Sequence, residues 1–482
     1  MEEKIKINIY TIEPPSPSKN GVQRIYGGNG SNKSDFRKAP IDVLWMSGYL
    51  RKNGFDNIFH DSNNSRETLD DLEKRFLSEK PNVIFFSTST CTIYEDVKVA
   101  TIAKKVNPGC ITVAFGTHVM ELTSETLVEA PDVDVGIFSN EWELVALDIV
   151  NNLNSLSSAR GIVYRNSNNE LVKTDPHPPL QHYDDLGFPA HDKLNQSLYA
   201  DPTMRRSPKT MVQFSRSCIA KCNFCCQPAF FGNVMQRSVD SIIEELKWVK
   251  GLGFNEVFIN DATFTYDHDW NKEIFQRMID EKIDLSWWCT TRSHCLDEEL
   301  LNLMKQAGCH TIGVGFESAY DQVLKNIKKG VRLDFIKNAV DITRDAGIDI
   351  LLFCVVGFLG ETKESMNETI KFLKTLNASF ITLGIAVPAP GTGFYRQMQE
   401  KEYLHHHDWE QYDPLKMPVY SYPDLSAEEI YDAAAYGLRE FYLRPSYIYD
   451  RIKSVENPAQ FIRYVKNFGG FLKRYIRPKT AA

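Results

Sequence analysis

Four of the chain's ten cysteines, Cys218, Cys222, Cys225 and Cys226, fall within nine residues of one another. The first three have the spacing C-x3-C-x2-C. Three thiolates on one short loop can ligate three irons of a 4Fe–4S cube, because thiolate is the ligand such clusters take. The fourth iron then needs another protein ligand or stays open to a small molecule. Cys226 is a poor fourth ligand, since adjacent side chains diverge. A zinc site would want C-x2-C pairs or a nearby histidine, and no histidine lies between His191 and Asp240. The plain alternative is a set of buried free thiols at a strand end.

A disulfide framework is the other common use of ten cysteines, but it belongs to short secreted chains. This chain has 482 residues, and its first residues, MEEKIKINIY, read as a strand rather than a signal peptide. No stretch reaches the ~18 apolar residues of a membrane span. The expected location is therefore the cytoplasm, with metal or redox chemistry for the clustered thiols. Fifty-five Lys+Arg against 63 Asp+Glu give a net charge of −8, so the molecule as a whole is no electrostatic match for nucleic acid.

The elements that must position the thiols follow from hydrophobic periodicity. In residues 1–155, strand-like runs at 6–12, 57–61, 82–88, 111–115 and 133–138 alternate with helical runs at 41–52, 68–79, 94–106 and 141–153, which predicts a Rossmann-like, doubly wound parallel sheet. Such sheets bind ligands at the carboxyl ends of their strands. Residues 156–205 are rich in Asn, Ser and Pro and read as a linker with hairpins. Over 206–400 the strands MVQFS, EVFIND, LSWWCTT, TIGVGFES, ILLFCVVG and FITLGIAV are separated by helices. Six βα units predict a partial (β/α)6 TIM-type barrel with chemistry at the strand C-termini, and the cysteine loop follows the first strand. Residues 401–482 read as a helical, aromatic C-terminal region. The fold class is α/β throughout the first two parts.

The cysteine triad, with Phe224 before its last member, resembles the cluster-binding motif of the radical S-adenosylmethionine (radical SAM) superfamily. The resemblance implies a 4Fe–4S cluster whose open iron binds the amino and carboxylate groups of S-adenosylmethionine (SAM). An electron from the cluster then cleaves the C–S bond, and the resulting 5′-deoxyadenosyl radical abstracts a substrate hydrogen. Cofactors carry such chemistry, and the protein supplies position and exclusion. Later motifs are similar to the same family and fall at strand ends. Asp261 in INDATF is placed to meet the SAM amino group, Arg292 in WWCTTR its carboxylate, and Glu317 in VGFES a ribose hydroxyl or the amino group. VVGFLGET resembles a GxPGET-type turn with Gly357, Gly360, Glu361 and Thr362, although Leu359 stands where proline is usual. VPAPGTGFY resembles a PxPGTxxY stretch with Pro390, Gly391, Thr392 and Tyr395. Taken singly, Asp261, Glu361 and Thr362 also suit helix caps, and Arg292 a surface ion pair.

A Rossmann-like domain ahead of the barrel resembles the cobalamin-binding subclass. STSTCTIYED, AFGTHVM and VGIFSNEWELV are similar to its S-x-x-T-x-x-Y, GG-x-H-x-T and GEGE stretches. The resemblance implies a corrin cradled by Ser87, Thr88, Ser89, Thr90, Tyr94, Gly116, Thr117 and His118, with His118 more suited to a loop hydrogen bond than to axial ligation. Phe115–Gly116 replaces Gly–Gly, residues 138–141 replace GEGE, and the D-x-H-x-x-G signature is absent. GGNGSNKS (27–34) approaches a phosphate loop, but Asn32 stands where its second glycine must be, so a mobile loop near the entrance suits it better.

Residues 439–482 carry ten Lys+Arg against three acids, interleaved with aromatics, which reads as a peripheral membrane element or a helix packed on the barrel. REFYLRPSYI resembles the C-terminal region of the anaerobic Mg-protoporphyrin ester cyclases and hopanoid-modifying enzymes. The combined expectation is cobalamin-dependent C-methylation, or a radical ring closure or rearrangement, of an apolar or lipid-like small molecule. An electron donor such as flavodoxin or ferredoxin is implied. Radical modification of RNA or a peptide without cobalamin, and a non-enzymatic iron–sulfur sensor, stand as alternatives. Of the other cysteines, Cys226, Cys289, Cys295 and Cys354 are expected near the site and Cys91, Cys110 and Cys309 in the core. The triplet His405–His407 is expected in a solvated loop.

Overall fold

The computed structural model describes residues 7–470 apart from 26–27, 33–35, 406–407, 456–460, 463 and 466–467. Two sheets organise it. The first is built from β1 (Ile9–Glu13), β2 (Ile58–Asp61), β3 (Val83–Ser87), β4 (Ile111–Phe115), β5 (Val135–Ile137), β6 (Ile162–Arg165) and β7 (Leu171–Lys173). Its seven strands lie in the order β2-β1-β3-β4-β5-β6-β7. The first five are parallel, and the strand order reverses between β1 and β3, where doubly wound sheets open a ligand crevice. Both faces are buried: Ile9, Val83 and Phe85 pack on one side, and Tyr10, Ile84 and Phe86 on the other. That double burial is why these strands read as continuous apolar runs. β6 and β7 are antiparallel and come from the expected linker, so the sheet continues past residue 155.

The second sheet comprises β8 (Lys209–Val212), β9 (Glu256–Ile259), β10 (Ser286–Thr291), β11 (Cys309–Glu317), β12 (Asp349–Val356) and β13 (Phe380–Ile385). All six strands are parallel and adjacent in chain order. Consecutive residues face opposite sides: Trp287 stacks on Phe275 of helix His268–Asp280 at 5.3 Å, whereas Trp288 stacks on Phe258 at 3.8 Å. We call the side carrying Trp288 the inner face. Helix Lys363–Thr375 begins with a capping box made by Thr362 and Ser365, and Thr392 caps helix Gly393–Glu400.

The C-terminal region binds back onto both sheets. Helix Ala427–Tyr442 packs against β13, Tyr442 Oη donates to the Ile381 carbonyl at 2.6 Å, and Tyr447 Oη donates to Ser379 at 3.0 Å. Arg451 pairs with Asp349 at 3.2 Å. The first part of the expected membrane tail therefore buttresses the second sheet. Lys473, Arg474, Arg477 and Lys479 lie outside the described residues. No helix among the described residues is long and apolar enough to cross a membrane. The glycine-rich stretch after Gly21 forms a hairpin, Val22–Ile25 against Gly28–Ser31, with Lys33 and Ser34 outside the described residues. His405 contacts Ser421 at 2.6 Å, and His406 and His407 lie outside the described residues.

Candidate active site

The cysteine loop leaves the carboxyl end of β8 and is closed at its base. Ser215 and Arg216 pair with Gln236 and Met235 in a short antiparallel ladder, and Ser217, at φ 69°, donates from Oγ to the Gly232 carbonyl at 2.6 Å. Two anchors hold it to the first sheet. Arg216 forms an ion pair with Glu143, and Phe231 packs edge-on against Trp142 at 5.9 Å. Donors point at two of the sulfurs: the Ala220 amide donates to Cys218 Sγ at 3.4 Å, Thr263 Oγ1 lies 3.3 Å from the same atom, and Arg292 Nη1 donates to Cys222 Sγ at 3.9 Å. Burial pushes the Cys225 thiol far above its ordinary range and Cys226 up to about 12. Among the described residues no three His, Cys, Asp or Glu side chains stand preassembled as a metal site. The triad shares one loop, and its soft donor set and the N–H groups around it fit an iron–sulfur cluster, whose binding displaces the thiol protons.

The strand-end residues surround this loop. Asp261, at the end of β9, is buried and accepts from the Phe214 amide at 2.8 Å and from Ser215 Oγ at 2.7 Å. Burial raises its pKa to about 6. Both of its oxygens thus hold the segment that launches the cysteine loop. Arg292 follows β10 and, besides meeting Cys222, donates to the Lys329 carbonyl. Glu317 ends β11 at φ 66°, a left-handed conformation that a glutamate adopts at a cost of about 1–3 kcal/mol. Its carboxylate is paired with Lys329 Nζ at 2.7 Å, both side chains being 8% exposed. Lys329 joins Arg292 to Glu317, and sequence reasoning missed it; the nearby Gly330 was the one available hint of a tight turn.

The remaining turns serve the backbone. Glu361 accepts from the Gly357 and Phe358 amides of its own turn, and burial raises its pKa to about 7. Gly357, at φ 90°, has no room for a side chain because Tyr420 Oη lies 2.6 Å from where a Cβ would stand. Gly360 shares this turn, at φ 89°. Pro390 is buried and leads into Gly391, which abuts Phe230 of the cysteine loop. Cys289 and Cys309 pair on the helix side of the sheet, and Cys354 is fully buried, so Cys289 does not face the cysteine loop. Cys295 lies beside Arg292 and Cys218.

At the first sheet, the expected corrin-binding side chains are largely occupied by hydrogen bonds within the protein. Ser87 Oγ donates to Glu13, Thr88 Oγ1 to the Phe115 carbonyl at 2.8 Å, and Ser89 Oγ lies 2.8 Å from Thr92 Oγ1. His118 is 2% exposed, with Nδ1 3.3 Å from Thr90 Oγ1 and its ring edge-on to Trp409 at 5.2 Å. Desolvation lowers its pKa to about 4. His118, in the short helix Thr117–Glu121, is thus a buried hydrogen-bonder covered by the C-terminal region. Gly116, at φ 129°, brings the β4 loop against Thr88, whose carbonyl would lie 2.4 Å from a Cβ. Tyr94 is partly buried next to Trp409. Beneath these loops, at the β1/β3 crevice, Arg24 is fully buried and paired with Asp96 at 2.7 Å and Glu13 at 3.2 Å.

Residues 212–373, which include the cysteine loop, β9 to β12 and Glu317, match the profile of the Radical SAM superfamily. That segment is a Radical SAM domain. The chain is 28% identical over 476 residues to an uncharacterized methyltransferase of Pyrococcus horikoshii, covering 98% of this chain and 97% of that one. It is 25% identical over 449 residues to the anaerobic magnesium-protoporphyrin IX monomethyl ester cyclase of Rubrivivax gelatinosus, covering 90% and 80%. With this domain and such relatives, the protein is an enzyme. Among solved structures, the cobalamin-dependent SAM radical enzyme OxsB, with aqua-cobalamin and SAM bound, shares the fold with TM-score 0.70 at 14% identity, covering 98% and 73%. TsrM from Kitasatospora setae, a radical SAM methyltransferase with cobalamin and a [4Fe–4S] cluster bound, does so with TM-score 0.65 at 15% identity, covering 82% and 78%.

Proposed function

We propose that the enzyme binds a 4Fe–4S cluster through Cys218, Cys222 and Cys225 and reductively cleaves SAM to functionalise an apolar small molecule. C-methylation is the preferred outcome, and ring closure or rearrangement the other. The observation that carries the reading is the closed cysteine loop with the Arg292 guanidinium directed at Cys222 and, through Lys329, tied to Glu317. Cluster and SAM, when bound, supply one-electron chemistry for removing a substrate hydrogen. Arg292 and Glu317 then orient the methionine and ribose ends of SAM, Asp261 fixes the start of the loop, and the Glu361 turn shapes the rim. The six parallel strands in chain order read as a partial barrel whose inner face receives the substrate.

Cobalamin is the second cofactor of this proposal. Because the side chains of Ser87, Thr88 and Ser89 are engaged, the backbone edges of the loops after β3, β4 and β5 would hold it, and His118 would not be its axial ligand. Flavodoxin or ferredoxin suits the role of reductant, and the part of residues 439–482 that follows Arg451 suits peripheral contact with a membrane. The decisive experiment is anaerobic reconstitution followed by dithionite and SAM, scored for 5′-deoxyadenosine. No product from a spectroscopically intact cluster overturns the proposal. Cys218→Ala, Cys222→Ala and Cys225→Ala are each expected to abolish the cluster's visible absorbance, and Cys226→Ala to retain it. The visible spectrum of protein purified with cobalamin supplied tests the second cofactor.

A further inference from the structure

Lys38 stands apart from the cations of the strand-end site. It lies just before helix Ile41–Lys52, yet its Nζ reaches the second sheet, 4.7 Å from the Phe258 ring centroid and 5.8 Å from that of Trp288, with Phe36 at 5.2 Å. Phe258 and Trp288 belong to the inner face, because their neighbour Trp287 is committed to the helix side. Aromatic faces attract an ammonium but do not replace its hydration. Lys209, close by, has Asp201 as a partner; among the described residues no carboxylate pairs with Lys38. Uncompensated burial pushes its pKa down to about 8, which leaves it protonated at neutral pH.

Three more donors on the same face lack acceptors: Trp288 Nε1, Gln213 Nε2 and Asn260 Nδ2. Gln213 is 1% and Trp288 2% exposed. The ladder ends at Val212 and Ile259, and the Asn260 amide then donates to the Val212 carbonyl at 2.8 Å, so Gln213 and Asn260 follow side by side, one step along the inner face from Met211 and Phe258. Tyr183 Oη donates to Gln213 Oε1 at 3.0 Å, which leaves the Gln213 Nε2 end unpartnered, and all four of these N–H groups are donors. The apolar wall opposite includes Phe353, which lies against Gly313. A wholly apolar ligand would leave every one of these donors unsatisfied.

We propose that Lys38, Trp288 Nε1 and the amides of Gln213 and Asn260 form an anion subsite on the inner face, which recognises a carboxylate or phosphate on an otherwise apolar substrate. The inference rests on the radical SAM reading for its geometry. Phe258 precedes Asp261 by three residues and Trp288 precedes Arg292 by four, so at ~3.3 Å per residue the Lys38 and Trp288 end of the subsite lies about 10–13 Å along the strands from the SAM end, while Asn260 borders Asp261. The anion would anchor the substrate's far end and present an apolar carbon to the reactive one.

The test titrates the full-length protein calorimetrically with hexanoate, hexyl phosphate, hexylamine and hexanol. One anion is expected to bind at least ~10-fold more tightly than hexanol, as a charge-assisted hydrogen bond predicts, and the tighter anion identifies the headgroup. Lys38→Gln removes that preference and Lys38→Arg keeps it, with circular dichroism showing both variants folded. Equal binding of hexanol and the anions, no binding of any probe, or an unchanged preference in Lys38→Gln overturns the subsite. Release of 5′-deoxyadenosine by the wild-type enzyme tests the underlying reading separately, so either can fail without the other.

Discussion

Replacing Lys329 with methionine probes how the strand-end site is held. Methionine keeps most of the apolar stem, so the change removes a charge while leaving little cavity. It strands the Glu317 carboxylate, whose side chain is 8% exposed, with no cation in its place. Breaking a buried pair by removing one partner costs roughly 3–5 kcal/mol, chiefly through the uncompensated charge left behind. At about 2–4 °C per kcal/mol for a cooperative unit near 200 residues, the melting point should fall by roughly 6–20 °C. The double variant Lys329→Met/Glu317→Gln removes both charges and should recover more than half of that loss. The Arg292 contact to Lys329 uses a main-chain carbonyl and survives in both variants. Cluster content should therefore be unchanged, while SAM binding weakens in each because Glu317 is misplaced or neutral. Thermal unfolding by circular dichroism and equilibrium SAM binding measure the two effects. If the single and double variants melt together, the pair is not energetically coupled and the reasoning fails.

Further outcomes follow from other buried or exposed groups. The folded-state pKa of His118, about 4, lies below the ordinary value near 6.5, so the folded protein holds fewer protons between these pH values and loses stability as the solution is acidified through them. The loss should reach roughly 3 kcal/mol by pH 4. Glu13 and Glu361, each raised to about 7, act in the opposite direction, so the informative quantity is the wild-type curve minus that of His118→Gln; a difference independent of pH refutes the assignment. In the C-terminal region Ile452 and Ile462 are 60% and 65% exposed. Ile452→Asp/Ile462→Asp should leave the melting point within about 2 °C, as changes to exposed residues do, and reduce co-sedimentation with anionic vesicles. Unchanged vesicle binding would remove the membrane role from this region.

What the sequence made legible was local. The C-x3-C-x2-C spacing, the alternation of strands and helices, and the order of Asp261, Arg292 and Glu317 along successive strands all depend on neighbours a few residues apart. Thr362 is a helix cap, a reading the sequence already allowed, and Thr392, expected only as part of the PxPGTxxY-like stretch, caps a helix as well. Long-range pairing stayed hidden. Lys329 meets Glu317 because β11 shifts register between Gly315 and Glu317, and no periodicity reports such an irregularity. Arg24 reaches Asp96 across 72 residues, and Lys38 crosses to another sheet, so each lay in a segment that reads as loop. The basic tail misled in part, because Arg451 looks like a solvated charge until Asp349 is seen beside it.

Trp409 covers His118 from 291 positions later in the chain. At synthesis rates of about 5–20 residues per second, roughly 15–60 s pass between the emergence of the two residues from the ribosome. During that interval the carboxyl ends of β3 and β4 have neither Trp409 nor Tyr412 near them. The first sheet therefore meets its surroundings twice, once as an open platform during translation and again as a covered one. A large ligand that enters at the first meeting need not displace the indole that arrives at the second.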